Sequence, residues 1–292
     1  MKIGLYSKVI NSEKQLLLVQ EIIDFLKAEG VSVYYHEHLV NEFKNFHLTI
    51  DSSELFTQLS SHNKLIDYLI CIGGDGTILD AVEILADSGI PLIGVNTGRL
   101  GFLANVSTSG LKDAFSQLKR GSYLIDKRNL LQLDSNQPLF QFNYAMNDFV
   151  LHKKETSSMI TVHAFLNGEP LNSYWADGLI VATPTGSSGY SLSCGGPILF
   201  PKSGSIVVTP IAPHNLNVRP VIIPDDQVLS FEIEGRSNYF LASLDSRSVT
   251  IDNKVQIAIR KADFSINLVR FEGDTYLKTL RNKMLWGMDH RN

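Results

Sequence analysis

Tyr68-Leu-Ile-Cys-Ile-Gly-Gly-Asp-Gly-Thr77 decides the fold, because a compact apolar run passes there directly into three glycines around one aspartate. The run predicts a buried strand, and the apolar spacing from Ile78 to Leu85 predicts a helix that begins near Thr77. Glycines let backbone N–H groups approach an anion closely, and the first N–H groups of a helix add partial positive charge. The stretch therefore predicts a phosphate site at the carboxyl end of a strand.

Asp75 is the unusual residue of this turn. A carboxylate repels phosphates unless a cation bridges the two or the carboxylate accepts a proton from an incoming hydroxyl, and both uses belong to phosphoryl transfer. The alternative is a tight connection in which Asp75 only caps the helix. The turn lacks the Lys-[Ser/Thr] ending of a P-loop and the spacing G-x-G-x-x-G. It predicts a kinase whose phosphate loop is formed by Gly73, Gly74, Gly76 and Thr77.

Length and composition limit the function further. A chain of 292 residues predicts two domains, and a formal net charge of -4 argues against binding to nucleic acid or to an anionic membrane. No apolar run approaches the roughly 18–20 residues that cross a bilayer, and the N-terminus begins with a strand pattern, so we expect a cytoplasmic protein. Two cysteines give neither a disulfide framework nor a metal site, and the eight histidines lack ligand spacing, so no protein-bound metal is expected.

The first part of the chain alternates strand and helix patterns. This alternation, from Lys2 to about Leu103, predicts a Rossmann-like parallel sheet with helices on both faces and with ligands at the carboxyl ends of strands. The segment from Asn96 to Phe102 follows the strand Pro91–Val95, so we expect it to form the opposite wall of the crevice. We therefore predict an α/β domain at 1–105, joined by a C-terminal tail at 275–292 that contains a helix.

After a predicted helix from Leu111 to Leu118 the sequence becomes mostly β. Asn167-Gly168 is a strong two-residue hairpin signal. The predicted strands are Leu130–Leu133, Phe140–Met146, Met159–Leu166, Leu171–Trp175, Ile206–Thr209, Val228–Ile233, Val255–Ile259 and Phe264–Phe271. This density of strands predicts a β-rich, layered or sandwich-like domain at 106–274, so that the fold class is α/β plus all-β.

Two further segments of the second domain carry candidate site residues. Asp177 to Pro197 is dominated by hydroxyls and glycines, which suit a polar ligand such as a ribose or a phosphate, although a flexible Ser/Gly loop is the alternative. Asn147-Asp148 lies where the apolar alternation changes face, which suggests a strand break that projects these two side chains. A surface turn is the alternative there.

Five segments, taken together and in order, resemble the ATP-dependent NAD kinases of bacteria. They are Gly73-Gly-Asp-Gly-Thr77, Asn96-Thr-Gly-Arg-Leu-Gly-Phe102, Asn147-Asp148, Asp177 to Pro197, and Pro213-His-Asn-Leu-Asn-Val-Arg-Pro220. The first is shared with the wider superfamily of diacylglycerol, sphingosine and 6-phosphofructo kinases, whereas the fourth is highly specific. The resemblance covers most of the chain.

This resemblance implies a phosphotransferase with an alcohol group as acceptor. The 2′-hydroxyl of the adenosine ribose of NAD would be phosphorylated by ATP, with a divalent cation such as Mg²⁺ carried by the nucleotide, to give NADP. It also implies a homo-oligomer, either a tetramer or a dimer, in which a β-rich C-terminal domain supplies much of the NAD site.

The resemblance also implies roles for individual residues. Asp75 would be the catalytic base or aligner of the hydroxyl. The implied NAD-binding residues are Gly74 and Gly76 beside it, Phe102 against the adenine and ribose, Asn147 and Asp148 on the adenosine, Asp177 at the nicotinamide half, and Thr185, Ser188, Gly189, Tyr190 and Ser193 along the dinucleotide pocket.

Two departures from the family pattern are visible. Thr185-Gly-Ser-Ser-Gly-Tyr190 stands where the family commonly has Thr-Gly-Ser-Thr-Ala-Tyr, which predicts a slightly roomier pocket. Trp175 stands where many members carry a basic or small residue, which leaves the preference for NAD over NADH open. The phosphoryl donor, feedback by NADP or NADPH and the oligomeric state are open as well.

Two other functions remain as alternatives. A lipid or sphingoid-base kinase would share the turn around Asp75, but it should have an apolar cleft and lack the segment Asp177 to Pro197. A non-catalytic dinucleotide sensor would keep the pocket without the transfer. The presence of Asp75 argues against a sensor.

Overall fold

The structure, a computed structural model, describes residues 1–44, 54–98, 101–154 and 159–285. Its α-helices in these ranges are α1 (Glu13–Ala28), α2 (Glu37–Lys44), α3 (Asp75–Leu85), α4 (Leu111–Arg120), α5 (Tyr190–Ser193) and α6 (Tyr276–Met284). Its strands there are β1 (Lys2–Tyr6), β2 (Ser32–His36), β3 (Leu55–Phe56), β4 (Tyr68–Ile72), β5 (Leu92–Asn96), β6 (Val106–Ser107), β7 (Tyr123–Ser135), β8 (Tyr144–Ala145), β9 (Asp148–Lys153), β10 (Ile160–Leu166), β11 (Glu169–Ala176), β12 (Gly178–Ala182), β13 (Ser205–Ile211), β14 (Val221–Pro224), β15 (Leu229–Gly235), β16 (Tyr239–Leu244), β17 (Arg247–Asp252) and β18 (Ile257–Phe271).

The chain divides into two compact units, Met1–Lys127 with Ile266–Asn292 and Arg128–Ser265. Both boundaries fall inside long strands, β7 and β18. The first unit extends beyond the predicted α/β domain of 1–105 and 275–292, because α4 buries its apolar face in the same cluster as α1 and β1, and because the end of β18 belongs to that cluster too. The last residues of the predicted tail, 286–292, lie outside the described residues.

The first unit contains a parallel sheet in the strand order β5-β4-β1-β2-β3, and the end of β18 pairs with β5 through Leu268 and Leu92. Ile70 and Ile72 of β4 are buried in the cluster that contains α1. On the opposite face, Ile78 of α3 packs so closely on β5 that a Cβ at Gly94 would lie 2.5 Å from its Cδ1. Helices therefore cover both faces, as the alternating pattern predicted.

The strand order of this sheet reverses direction next to β1. The chain leaves β1 towards β2 on one side, whereas β4 lies on the other side of β1, which makes a topological switch point. The turn after β4 lies at the carboxyl edge of the sheet. The segment that begins at Asn96 follows the adjacent strand, β5, at the same edge. The turn after β4 and the described start of the second predicted segment, residues 96–98, thus lie at the same edge of the sheet.

The second unit is built from antiparallel strands. One sheet has the order β14-β13-β12-β9-β16-β17, and β11, β10 and β15 pair in a second sheet with the beginning of β18. Phe149 of β9 and Val162 of β10 are buried in one apolar cluster, so the sheets form layers around a shared core. This confirms the layered β prediction. The hairpin prediction is also confirmed, with Asn167 and Gly168 at φ 51° and 85° between β10 and β11.

Some predicted strands differ from the observed ones. The alternation from Phe140 to Met146 predicted a strand of seven residues, but only Tyr144–Ala145 pairs as one. The Arg247 guanidinium donates instead to the carbonyls of Phe142 and Tyr144, so a side chain replaces a strand partner. The two strands predicted between Val255 and Phe271 are one continuous strand, β18, because no glycine or proline interrupts it. Among the described helices, none has the length and apolar character to span a membrane.

Candidate functional site

The glycine turn of the first unit is tied to the sheet at its start and to a helix at its end. The Gly73 N–H donates to the carbonyl of Val95 at 2.9 Å, and α3 begins at Asp75, two residues before the predicted start at Thr77. Gly74 occupies the N-cap position, and its carbonyl accepts the Thr77 N–H at 3.0 Å. Asp75 is therefore in the first helical turn and does not cap the helix, which excludes the capping alternative.

The Asp75 carboxylate binds three consecutive N–H groups from the loop at residues 101–104. Oδ2 accepts from Phe102 at 2.8 Å, and Oδ1 accepts from Leu103 and Ala104 at 3.0 Å each. A Cβ at Gly101 would lie 1.9 Å from Oδ1, so glycine is required there. Among the described contacts Oδ2 accepts a single hydrogen bond, so a second lone pair can accept a hydrogen bond from a hydroxyl.

Arg270, which sequence analysis missed, holds this loop from β18. The residue is buried, and its Nη2 donates to the carbonyl of Phe102 at 3.1 Å. Asp126 lies 3.4 Å from its Nε and Asp274 lies 3.5 Å from its Nη1, so two carboxylates compensate the buried charge. The ring centroid of Phe102 lies 6.5 Å from that of Tyr276 in α6, which brings the C-terminal helix to the loop.

The glycines of this region fall into two classes. A Cβ at Gly73 would lie 2.2 Å from the Thr77 Oγ1, so packing requires glycine at 73, as it does at 101. At Gly74 and Gly76 the described residues place no atom within 4 Å of such a Cβ, and both positions are exposed. Packing among these residues does not account for glycine at 74 and 76. The backbone at both positions is therefore accessible to another group.

The other predicted wall is only partly described. Asn96 is buried, and its Oδ1 accepts the Gly98 N–H at 2.6 Å, which turns the chain sharply after β5. Arg99 and Leu100 lie outside the described residues.

In the second unit, the segment from Thr183 to Ser191 is held by its own hydroxyls. The Thr183 hydroxyl donates to the Met146 carbonyl at 2.6 Å and accepts the N–H of Thr185 at 3.1 Å. The Ser187 hydroxyl donates to the Pro184 carbonyl at 2.7 Å, and the fully buried Ser191 pairs with Thr209 at 2.8 Å. A flexible Ser/Gly loop would not bury and bond these groups, so that alternative does not hold here.

The predicted pocket residues of this segment differ in their surroundings. Thr185 is buried and accepts a hydrogen bond from Arg128 Nη1 at 3.2 Å, and Ser188 donates to the Thr185 carbonyl at 3.2 Å. Gly189, Tyr190 and Ser193 are exposed. The first two residues thus stabilise the segment, whereas the last three present a surface to solvent.

Asn147 and Asp148 lie at the break between β8 and β9, as predicted. Asp148 is buried, which contradicts the alternative of a surface turn. Burial, and then the neighbouring charge of Asp245, raise the pKa of the Asp148 carboxyl to about 7. A Cβ at Gly186 would lie 2.1 Å from the Asn147 carbonyl oxygen, so the glycine-rich segment packs directly on this corner.

Asp177 lines a separate cavity of about 770 Å³ in the second unit. The Lys153 Nζ lies 2.6 Å from its Oδ1, so the carboxylate is paired with a cation. The exposed ring of Trp175 lies 5.6 Å from the ring of His214 at the same cavity, between centroids. Arg236 lines it as well. The cavity therefore combines aromatic surface with charges of both signs.

Within the described part of the chain, no group of three or more His, Cys, Asp or Glu side chains has a geometry that could hold a metal ion. The first unit offers one carboxylate beside a helix N-terminus and exposed glycines. The second offers a buried carboxyl corner, a hydroxyl-rich surface and a charged cavity.

Two family models match most of the chain. The model of the ATP-NAD kinase N-terminal domain matches residues 7–123, and the model of the ATP-NAD kinase C-terminal domain matches residues 146–271. The chain is 46% identical over 283 residues to an NAD kinase from Cytophaga hutchinsonii, with 96% of each chain covered. It is 44% identical over 295 residues to an NAD kinase from Flavobacterium johnsoniae, with both chains covered completely.

Two solved structures share the fold. A yeast NADH kinase complexed with NADH superposes with a TM-score of 0.84 at 22% identity, covering 100% of this chain and 89% of the other. An NAD kinase from Archaeoglobus fulgidus in complex with ATP gives 0.74 at 24% identity, covering 98% and 99%. At these identities the likeness establishes the architecture alone.

Glycine at 76 should serve a ligand and not the fold. We expect Gly76→Ala to raise the free energy of unfolding by up to about 1 kcal/mol, because alanine is the better helix former. The added methyl should obstruct the approach of phosphate and lower kcat/KM for phosphoryl transfer by about tenfold or more. Thermal unfolding and steady-state kinetics measure the two effects.

Gly73→Ala is the matched comparison for stability, since here the added Cβ would collide with Thr77. It should lower stability by roughly 1–3 kcal/mol. Unchanged kinetics in a folded Gly76→Ala protein would contradict a ligand at this position.

Proposed function

We propose that the chain, which belongs to the ATP-NAD kinase family, transfers the γ-phosphoryl group of MgATP to the 2′-hydroxyl of the adenosine ribose of NAD. A P–O bond forms to the ribose oxygen, the bond to the β-phosphate breaks, and the products are NADP and MgADP. The observation that carries the proposal is the Asp75 carboxylate, which is held at the first turn of α3 with an acceptor direction left on Oδ2.

The proposed chemistry needs positioning more than covalent participation of the protein. Phosphoryl transfer passes through a loose transition state in which charge spreads over the γ-phosphoryl oxygens. The exposed backbone at Gly74 and Gly76, with the N–H groups of the first turn of α3, suits that charge. Asp75 accepts the hydroxyl proton and aligns the oxygen, while the divalent cation arrives with ATP.

The loop at residues 101–104 determines where Asp75 points. Three N–H donors hold the carboxylate in place, and Arg270 holds the Phe102 carbonyl in turn. Preorganisation of this kind removes an entropic cost from the transfer step. We propose that Phe102 contacts the adenine and ribose, as the family resemblance implies.

The residues proposed to bind NAD in the second unit divide by exposure. Gly189, Tyr190 and Ser193 are proposed to contact the dinucleotide directly, whereas Thr185 and Ser188 hold that surface in place. Asn147 and Asp148 are proposed to hydrogen-bond the adenosine. Asp177 is proposed to face the nicotinamide half from the cavity that it shares with Trp175.

The remaining proposals rest on the resemblance. They are a homo-oligomer, either a tetramer or a dimer, a cytoplasmic location, Mg²⁺ as the cation and ATP as the donor. A lipid or sphingoid substrate is disfavoured because the charged side chains of Lys153, Glu234 and Arg236 line the cavity at Asp177 beside Met159 and Trp175. Binding of NAD without an ATP-dependent product would support the sensor instead.

Asp75→Asn should lower kcat for NADP formation by roughly 10²–10⁴-fold, the range expected for a lost general base. The amide also replaces one acceptor oxygen by a donor that faces loop N–H groups, so we expect a stability loss of about 1–3 kcal/mol. A coupled assay specific for NADP measures turnover from NAD and MgATP. Calorimetry measures whether NAD binding persists.

Asp87→Asn is the control, because Asp87 follows the far end of α3 and accepts hydrogen bonds from the N–H and the hydroxyl of Ser61. It should leave turnover unchanged. Near-normal turnover of Asp75→Asn would remove Asp75 from the transfer step, and absence of any wild-type product would refute the proposed activity itself.

Trp175→Ala should change the choice between NAD and NADH. The nicotinamide ring of NAD is a cation and that of NADH is neutral, so an exposed indole favours NAD by about 0.5–1 kcal/mol. We expect the ratio of kcat/KM for NAD to that for NADH to fall about two- to fivefold. Tyr239→Ala removes an equally exposed aromatic ring next to Lys154 and should leave the ratio unchanged. An unchanged ratio in Trp175→Ala would place the nicotinamide elsewhere.

A further inference from the structure

We propose that Asp245 is a positioning residue, which sets the orientation of Asn147 and Asp148 and thereby of the adenosine end of the dinucleotide. The inference rests on the proposed function in one respect, that these two residues bind adenosine. Asp245 itself lies behind them and is not proposed to touch the ligand.

The turn that carries Asp245 is strained. Asp245 and Ser246 connect β16 to β17, with Leu244 opposite Arg247, and Asp245 has φ 51°. This left-handed conformation is uncommon for residues with a Cβ, although aspartate tolerates it better than most, and glycine would adopt it without cost. The presence of aspartate where glycine is conformationally cheaper indicates that the carboxylate is used.

The Asp245 carboxylate binds the backbone of residues 146–148, which form the corner between β8 and β9. Oδ2 accepts the N–H of Met146 at 2.9 Å, and Oδ1 accepts those of Asn147 at 2.7 Å and Asp148 at 3.2 Å. The N–H of Asp245 donates to the carbonyl of Asp148 at 3.0 Å. Because one carboxyl group accepts three consecutive backbone N–H groups, this single side chain orders three consecutive residues.

Residues of the glycine-rich segment hold the Asn147 backbone at its carbonyl, on the side away from Asp245. The Thr183 N–H donates to the Asn147 carbonyl at 2.9 Å, and Gly186 packs against the same carbonyl. Both polar backbone groups of Asn147 are therefore bound. With the backbone held on two sides, the direction of the Asn147 and Asp148 side chains is determined by the corner and not by the ligand.

Asp245 also acts on Asp148 electrostatically. The titratable groups that interact with the Asp148 carboxyl are Asp245 and, from α5, Tyr190. Burial raises the pKa of Asp245 as well, although its three N–H donors and the charge of Arg247 act in the opposite direction. Burial raises the pKa of Asp148, and the charge of Asp245 raises it further, to about 7. An ionised Asp148 accepts hydrogen bonds from the amino and hydroxyl groups of adenosine, so NAD affinity should increase as pH rises through 7.

The test compares Asp245→Asn and Asp245→Gly with wild type. Asparagine keeps one acceptor oxygen, and glycine keeps the turn conformation without any carboxylate. NAD binding is measured by calorimetry without ATP at pH 6, 7 and 8, and KM for NAD, KM for ATP and kcat are measured separately. Asp252→Asn is the control, since Asp252 accepts the Lys254 N–H at 2.9 Å at the other end of β17.

We expect the dissociation constant and the KM for NAD to rise about tenfold or more in Asp245→Gly and less in Asp245→Asn, with KM for ATP within about twofold of wild type. Wild-type affinity should rise up to about tenfold from pH 6 to pH 8, as follows from one group that ionises near pH 7. In both variants this rise should move to lower pH, because the charge of Asp245 no longer opposes ionisation of Asp148.

Folded variants with wild-type NAD affinity and an unmoved pH dependence would overturn the inference. Global unfolding of both variants would overturn it too, because Asp245 would then serve the fold and not the corner. A wild-type protein that does not bind NAD would refute the proposed function, which is a different result.

Discussion

The first unit depends on one interaction, the hydrogen bonds between the Asp75 carboxylate and three N–H groups of the loop at residues 101–104. Asp75 is carried by α3, and the loop follows β5, so the interaction connects the two elements that leave the carboxyl edge of the sheet. It also explains Gly101, since any side chain there would displace the carboxylate. Arg270 extends the restraint to β18, and its two carboxylate partners make a buried cation tolerable.

Local patterns predicted the elements whose stability is local. The strand Tyr68–Ile72 was predicted to the residue, because a strand buried on both faces is a continuous apolar run bounded by glycine. The hairpin at Asn167-Gly168 was predicted because a two-residue turn of this type needs positive φ at both residues, which Asn and Gly adopt readily. The segment Phe140–Met146 has the alternation of a strand, but two of its carbonyls are bound by Arg247, about a hundred residues away in sequence. No periodicity within the segment contains that information.

Contacts between residues that are distant in sequence also limited the prediction of the candidate site residues. The sequence identified Asp75, Asn147 and Asp148 as candidates, because glycines and strand breaks around polar residues are visible locally. It did not identify the residues that orient them. Asp245 lies 98 positions from the Asn147 N–H that it binds, and Arg270 lies 168 positions from the Phe102 carbonyl. One partial signal existed, since an aspartate at a two-residue turn between β patterns indicates a left-handed position where glycine would be easier.

Asp75 and Asp245 show why a hydrogen-bonding pattern alone does not determine a role. Each binds three consecutive N–H groups, with Oδ2 accepting the first and Oδ1 accepting the next two. Their surroundings differ. Asp75 lies at a helix N-terminus between exposed glycines, where a phosphate and a hydroxyl have room to approach. Asp245 is close enough to the buried carboxyl of Asp148 that its charge raises the pKa of that neighbouring side chain. The same local geometry therefore orients a loop in both units, and the surroundings of the two carboxylates differ: Asp75 lies beside exposed backbone, whereas Asp245 lies next to another buried carboxyl.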